Sequence, residues 1–295
     1  VTTTGAQTYT GPVTLTADTA LATTNASVTF GGTVDADAAA NNRTLSIAAG
    51  AGDVTVTGAA GGGQALQSFT ITSADDIALG AITTRNGGIS VTASGASPTI
   101  ALNGNLSTDA GTNAGSVSLT GPITLGANVT IDTDHATGAD GDIAFSSTVN
   151  ADTSANRRTL ALTAGTGTID NGGGGAIGTI GGAGTLGGLT ASGSTLRFGA
   201  ISTTGGTAQD GGGVVLTGST LLSVGGTITA TGGTAGAGNP GRAGGVATLT
   251  GGDVSIAAVN TAGSAAGAGS DADGGAAGAI TVNATDGTPV ITLAG

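Results

Sequence analysis

Aspartate is the one side chain in this sequence that could carry metal or acid chemistry in any number. All eighteen acidic residues are Asp and all six basic residues are Arg, with one His and no Cys beside them. Asp140-Gly141-Asp142 and Asp271-Ala272-Asp273-Gly274 have the oxygen-rich, Gly-hinged form of a calcium loop, which makes Asp140, Asp142, Asp271 and Asp273 the candidate metal ligands. Calcium takes six or more oxygens, so two carboxylates need further donors from the fold. The Gly-Gly-x-Gly-x-Asp nonapeptide of calcium β-rolls is absent. Asp35 with Asp37, Asp75 with Asp76, and Asp132 with Asp134 supply carboxylate pairs of the kind glycosidases use. A polysaccharide lyase also needs Lys or Arg beside its acids, and here the six Arg are scattered along the chain. His135 sits by Asp132 and Asp134, but no Gly-x-Ser-x-Gly elbow supplies a nucleophile, so it reads as a turn histidine. Gly-x-Gly-x-x-Gly occurs at 173–178, 182–187 and 236–241, yet none precedes a helical pattern, as a dinucleotide loop requires. A P-loop is impossible without Lys. The reading is a non-enzymatic protein with no resident cofactor.

The elements that must position these residues are strands. Lys, Glu, Met and Trp are absent, and 60 of 295 residues are Gly, each of which costs a helix about 1 kcal/mol relative to Ala. The apolar residues are Ala, Val, Ile and Leu, with four Phe and one Tyr, which suits a narrow core rather than a wide sandwich. Short alternating segments recur, among them Val13-Thr14-Leu15, Val28-Thr29-Phe30, Leu45-Ser46-Ile47, Val54-Thr55-Val56, Ile89-Ser90-Val91 and Val117-Ser118-Leu119. Apolar residues two apart put one set on a buried face and Thr or Ser on the other. Strands this short are unstable as hairpins, but pairing each with its equivalent one turn later satisfies the backbone and stacks the apolar residues into columns.

The sequence also repeats itself. Thr10-Gly11-Pro12-Val13-Thr14-Leu15 returns as Thr120-Gly121-Pro122-Ile123-Thr124-Leu125, Ser27 to Asp37 returns as Asp142 to Asp152, and Arg43-Thr44-Leu45 as Arg158-Thr159-Leu160. In the last third, Val214/Leu216, Ala247/Leu249 and Ile280/Val282 follow one another at a period of ~33 residues, each after a Gly-rich excursion. These patterns predict an all-β chain, a right-handed parallel β-helix or β-solenoid of about ten to fourteen rungs with Gly-rich loop excursions. It forms one continuous body over 1–295, with 10–110 and 120–204 as related long repeats and 205–295 as the longer-period rungs. The excursions at 205–213, 232–245 and 263–278 stack on one side, either as a binding fringe or, the favoured reading, as length-tolerant filler. Neither end shows an amphipathic helix or a charged cap.

The formal charge of −12 and pI near 4.1 repel phosphate backbones, so nucleic acid is not a partner. The Gly-dominated stretch from Asn171 to Leu196 is no membrane span, and one Tyr cannot build the aromatic girdles of a membrane barrel. No signal peptide stands at Val1, and the Thr-rich opening reads as a mature product or an excerpt. The lack of Cys suits export in an unfolded state. Thr-x-Thr at 14/16, 55/57, 70/72, 227/229 and 248/250 brings an ice-binding solenoid into view, though variable rung length favours Thr chosen for β propensity. Asn25, Asn42, Asn105, Asn128 and Asn283 head sequons at the frequency that a Ser/Thr-rich chain produces by chance.

The repeated Gly-Pro-[Val/Ile]-Thr-Leu, the [Val/Ile]-x-Phe-x-x-Thr-Val-[Asp/Asn]-Ala-Asp stretch and the Gly-Gly-x-[Val/Ile]-x-Leu-Thr-Gly rungs resemble the repeat region of filamentous-haemagglutinin-like exoproteins, secreted by two-partner or autotransporter-type routes. The resemblance covers essentially the whole chain and is one of repeat style. It implies a right-handed parallel β-helix displayed on the bacterial cell surface as an extracellular adhesin, fibre or matrix component. That family's amino-terminal secretion module has no counterpart in this sequence. The expected partners are other cell surfaces, matrix or glycans, or further copies of the same chain. The alternative is a subunit that stacks end to end into an extracellular filament; an ice-binding solenoid and a polysaccharide-acting β-helix enzyme are more remote.

Overall fold

In the computed structural model the described residues are 1–41, 43–172, 180–182, 184–286 and 290–293. They are almost entirely short strands joined in parallel, with no α-helix and one 3-10 turn at Ser154–Asn156. Among them no helix is long and apolar enough to cross a membrane. The chain divides into two compact units, residues 1–146 with 163–167 and residues 147–162 with 168–295.

In the first unit, consecutive strands do not pair with each other. Each pairs in parallel with the strand one circuit later, which is the only way segments of three to six residues can complete a ladder without hairpins. Gln7–Tyr9, Val28–Phe30, Val54–Val56, Asp76–Leu79, Thr99–Leu102 and Ile123–Leu125 follow one another across one ladder. Its register stacks Val28, Val54, Ile77, Ile100 and Ile123 into one column and Phe30, Val56, Leu79, Leu102 and Leu125 into another. All ten are buried. A second ladder does the same for Leu21, Ile47, Ile71, Val91, Leu119 and Phe145. A third runs through Val34, Ala60, Ile82, Leu106 and Ile131. Each fully buried Val, Leu or Ile contributes about 1.5–3 kcal/mol, so the columns, together with the satisfied backbone, hold the unit.

One inward position is polar. Thr84, Thr108 and Thr133 lie two residues beyond Ile82, Leu106 and Ile131 and are fully buried. Each hydroxyl donates to the carbonyl where the following loop returns: Thr84 to Gly87 at 2.7 Å, Thr108 to Gly115 at 2.6 Å and Thr133 to Gly141 at 2.7 Å. The second unit repeats this with Thr203 to Gly212 at 2.7 Å and Thr261 to Gly278 at 2.8 Å. The excursion that the bond closes spans 3 residues in the first case and 17 in the last, so the clasp fixes the neck and leaves loop length free.

The second unit has longer strands, Gly188–Phe198, Gly213–Thr229 and Ala247–Asn260, then Ile280–Ala284 and Ile291–Leu293. Val214, Ala247 and Ile280 share one register position, and Leu216, Leu249 and Val282 the next, as the period in the sequence predicts. The ladders slip at Gly193/Thr195, Gly218/Leu221 and Val224/Thr227, and these irregularities bend each long strand into successive faces.

One column position in the strand Gln7–Tyr9 is polar as well. Gln7 occupies the position that Val28 fills one circuit later, and its side-chain amide donates to the carbonyls of Val1 and Ala22 and to the Thr3 hydroxyl. Tyr9 lies over Phe30 with ring centroids 4.9 Å apart and donates its hydroxyl to Gln7. A polar, uncharged side chain thus stands in the column that Val28 continues.

Replacing Leu102 with Ala should cost about 2–5 kcal/mol in equilibrium unfolding by urea, as expected for a void in a packed column. Thr133→Val, which keeps the shape and removes the clasp, should cost about 1–3 kcal/mol because a buried carbonyl loses its donor.

Candidate functional site

The acidic and amide side chains collect at the turns, where a circuit meets the one above it. Asn25 and Asn86 have positive φ, 56° and 60°, a conformation Asn tolerates and a β-branched residue does not. That geometry turns the side chain along the stack. Asn25 Oδ1 accepts the Ala51 N–H at 2.9 Å, Asn86 Oδ1 accepts Thr112 and Asn113 N–H at 2.7 and 3.1 Å, and Asn113 Oδ1 accepts Ala139 N–H at 3.0 Å. Asp140 Oδ2 continues the series with the N–H and hydroxyl of Thr166, both at 2.7 Å, while its Oδ1 accepts the His135 N–H at 2.7 Å. Asp35, Asp53, Asp210 and Asp253 act likewise toward Gly63, Asp76, Ala243 and Val290.

The same bonds involve the calcium candidates. The Thr166 N–H, then that of His135, hold the Asp140 carboxyl below the usual carboxylate range, and both of its oxygens are occupied by this chain. Asp142 donates its backbone N–H to the Ser116 hydroxyl oxygen at 3.0 Å. Asp271 and Asp273 are exposed, and the Asp273 contact to the loop below uses its backbone carbonyl, which accepts from Gly241. Among the described residues no three His or Asp side chains come together as a metal site needs. The imidazole of His135 faces the Gly111 carbonyl at 3.0 Å and the Gly138 N–H at 2.7 Å, which makes it a turn organiser. Burial pushes the Asp132 carboxyl up, and nearby Asp109 and Asp134 add to the shift against a lowering bond from the Asp134 N–H.

Two Arg residues are not scattered in space. Arg43 grips Asp37 through Nε and Nη2 at 2.9 and 2.8 Å, with the Asn41 amide on the same carboxylate at 2.9 Å. Arg158, Asp152 and Asn156 form the same clip in the second unit at 3.1, 2.8 and 2.8 Å. The guanidinium in each clip holds its Asp well below the usual range. The signal was present in the sequence, since Asp, Asn and Arg keep one spacing in both copies. Sequence reasoning followed the strands and passed over the turn between them.

The Gly-rich excursions are not loose filler. The segments near 205–211, 232–245 and 262–278 hydrogen-bond to one another through the backbone: Gly205 N–H to Thr231, Gly232 to Ala262, Gly244 to Ala276, Gly267 to Asn239. Arg157 ties the first of them down through Nη1 to the Asp210 carbonyl at 2.7 Å. The loops approach so closely that a Cβ on Gly233 would lie 1.8 Å from the Gly206 oxygen, and one on Gly275 would lie 1.9 Å from the Arg242 oxygen. Glycine is there because two backbones need the space. Of the Gly-x-Gly-x-x-Gly matches, 236–241 lies inside this layer and leads to the strand Ala247–Asn260, not a helix. The matches at 173–178 and 182–187, and the sequon residue Asn42, fall wholly or partly outside the described residues.

The outward Thr rows are interrupted. Thr8, Thr29 and Thr55 give way to Ala78 and Ala101 before Thr124, and Thr190 is followed by Val215 before Thr248 and Thr281. At Thr70/Thr72 the ladder slips between Ile47 and Ala48, so Thr72 has no register partner and turns its hydroxyl to the Ile47 carbonyl. The Asn105 amide oxygen accepts the Thr130 N–H, as Asn25 does for Ala51. No protein-family model, curated protein or solved structure matches this chain.

Neighbouring glycines should separate packing from composition. Gly275→Ala should loosen the loop layer and lower the unfolding temperature, whereas at Gly274, where the nearest atom to a Cβ is 3.3 Å away, Ala should change it little. The clips should show in acid. A carboxyl whose folded pKa is depressed gives stability that is present above the ordinary Asp value of about 3.9 and is lost as pH falls toward the folded value. Wild type should therefore lose stability below about pH 4 more steeply than Asp37→Asn in urea titrations run at each pH.

Proposed function

We propose that the protein is a structural and adhesive component of a bacterial cell surface, an extracellular right-handed parallel β-helix of about ten to fourteen circuits that serves as a stalk or fibre segment. The observation that carries the reading is where the polar chemistry goes. Asp and Asn accept backbone N–H groups of the next circuit, Arg43 and Arg158 close on Asp of their own turn, and buried Thr hydroxyls clasp the loop necks. An enzyme aims such groups at one place; here they are spread along the stack and used on the backbone. Much of what remains outward is Thr, Ser, Ala and Gly, a surface suited to broad, shallow contact with other cell surfaces, matrix or glycans. The ordered loop layer at 205–278 is the surface offered for attachment, since loops on a rigid scaffold are where contacts concentrate. The likeness of repeat style to filamentous-haemagglutinin-like exoproteins supports the same reading.

A second reading is an extracellular filament assembled by end-to-end stacking. It draws on the parallel ladder itself, in which the backbone groups at a strand edge are a template for the equivalent strand of another copy.

Negative-stain microscopy of purified protein should give short unbranched rods, and beads coated with it should bind cells or matrix where uncoated beads do not. Compact spheres would remove the stalk, rods without bead binding would remove the adhesive role, and long fibres would favour the filament.

A further inference from the structure

His135 is the only histidine in the sequence, and its ring fits its turn in one protonation state. Nδ1 faces the Gly138 N–H at 2.7 Å and the Thr137 N–H at 3.3 Å. Nε2 faces the Gly111 carbonyl of the circuit below at 3.0 Å. A backbone N–H only donates and a carbonyl only accepts, so Nδ1 is bare and Nε2 carries the hydrogen. The neutral Nε2–H tautomer satisfies both contacts. The imidazolium does not, because its Nδ1–H would point at the Gly138 N–H with no acceptor between them. The ring therefore ties the tip of its own turn to the circuit below, on which that tip rests closely: a Cβ on Gly138 would lie 2.0 Å from the Thr112 oxygen.

We propose that His135 is a latch that mild acid opens: a proton on Nδ1 expels the Thr137 and Gly138 N–H groups and frees the tip of the turn, Ala136 to Gly138, from the circuit below. The charged surroundings favour that proton. The turn itself carries Asp132, Asp134, Asp140 and Asp142, and the circuit below adds Asp109. Arg85, bridged through the backbone to Asp109, belongs to the circuit below that one, and the turn above, Ala164 to Gly167, has no titratable group. The Thr166 and His135 N–H groups hold Asp140 below the usual carboxylate range, so it stays charged where histidine titrates. Opening takes up a proton, and it is favoured as pH falls through the histidine range at about 6.5. It is also local. The Ala139 N–H stays on Asn113 Oδ1 at 3.0 Å, the Ala139 carbonyl on the Ala114 N–H at 2.8 Å, and Asp140 on Thr166, so the circuit keeps its place while the exposed Ala136 and Thr137 come free. This switch goes beyond the adhesive reading and does not rest on it.

Ring nitrogen chemical shifts in NMR should report the neutral Nε2–H form at about pH 7.5 and the imidazolium at about pH 5.5. Across that step the hydrogen-exchange protection of the Gly138 amide, corrected for the pH dependence of intrinsic exchange, should fall about tenfold, as expected for the loss of one hydrogen bond. Protection of the Leu102 amide, in a buried column, should not change and reports that the stack is intact. His135→Gln, whose side-chain oxygen can accept the Gly138 N–H without titrating, should keep the same protection at both pH values. A neutral Nδ1–H ring at about pH 7.5, a ring still neutral at about pH 5.5, an imidazolium with Gly138 protection unchanged, or an equal loss in His135→Gln would each overturn the proposal. The wild-type shifts and exchange decide the matter even where the variant fails to fold. Neither readout involves bead binding, so the latch and the adhesive role stand or fall separately.

Discussion

The parallel ladder between one circuit and the next is the interaction on which everything else depends. A strand of three residues has too few hydrogen bonds and too little buried area to exist alone, and it gains both only if the equivalent strand lies about 4.8 Å above it in register. That spacing recurs at every circuit, so the interior cannot vary in width. The columns are therefore aliphatic, with Phe admitted singly, as at Phe30, Phe69 and Phe198. The same spacing brings turns and loops as close as the strands, and there it selects Gly, because a Cβ would meet the backbone of the circuit below.

Variable excursions threaten such a stack, since each must return the chain to one register. The buried Thr at the loop neck answers that problem with a single hydroxyl, whether the excursion is Thr84 to Gly87 or Thr261 to Gly278. Its cost is a polar group in an apolar column, and the cost vanishes because donor and acceptor meet inside. Turn carboxylates and amides perform the matching task outside, where Asn86, Asn113 and Asp140 link successive turns. The acidity of the chain is thus largely an architectural property. Asp accepts backbone N–H groups with a short side chain, and no Lys or Glu is present to compete.

The fold was legible because it rests on alternation and period. Val28-Thr29-Phe30 and Val54-Thr55-Val56 show their buried faces by residue type alone, and the spacing of Val214, Ala247 and Ile280 states their register. The candidate site was far less legible. Asp140-Gly141-Asp142 looks like a metal loop in sequence, but a hydrogen-bond partner 26 residues away claims Asp140. Gln7 looks like one polar residue among many until its register with Val28 places it in an apolar column. Gly-rich loops read as filler because composition does not state which backbone lies within 2 Å.

By itself the sequence determined that this protein is built of short strands with a narrow aliphatic interior, for side-chain type and a period of two residues are local properties of a chain. Only the tertiary structure decided what the polar residues do. An Asp is a clip or a turn cap according to the atoms that face it, and outside the Arg clips those atoms belong to the neighbouring circuit, more than twenty residues away in sequence.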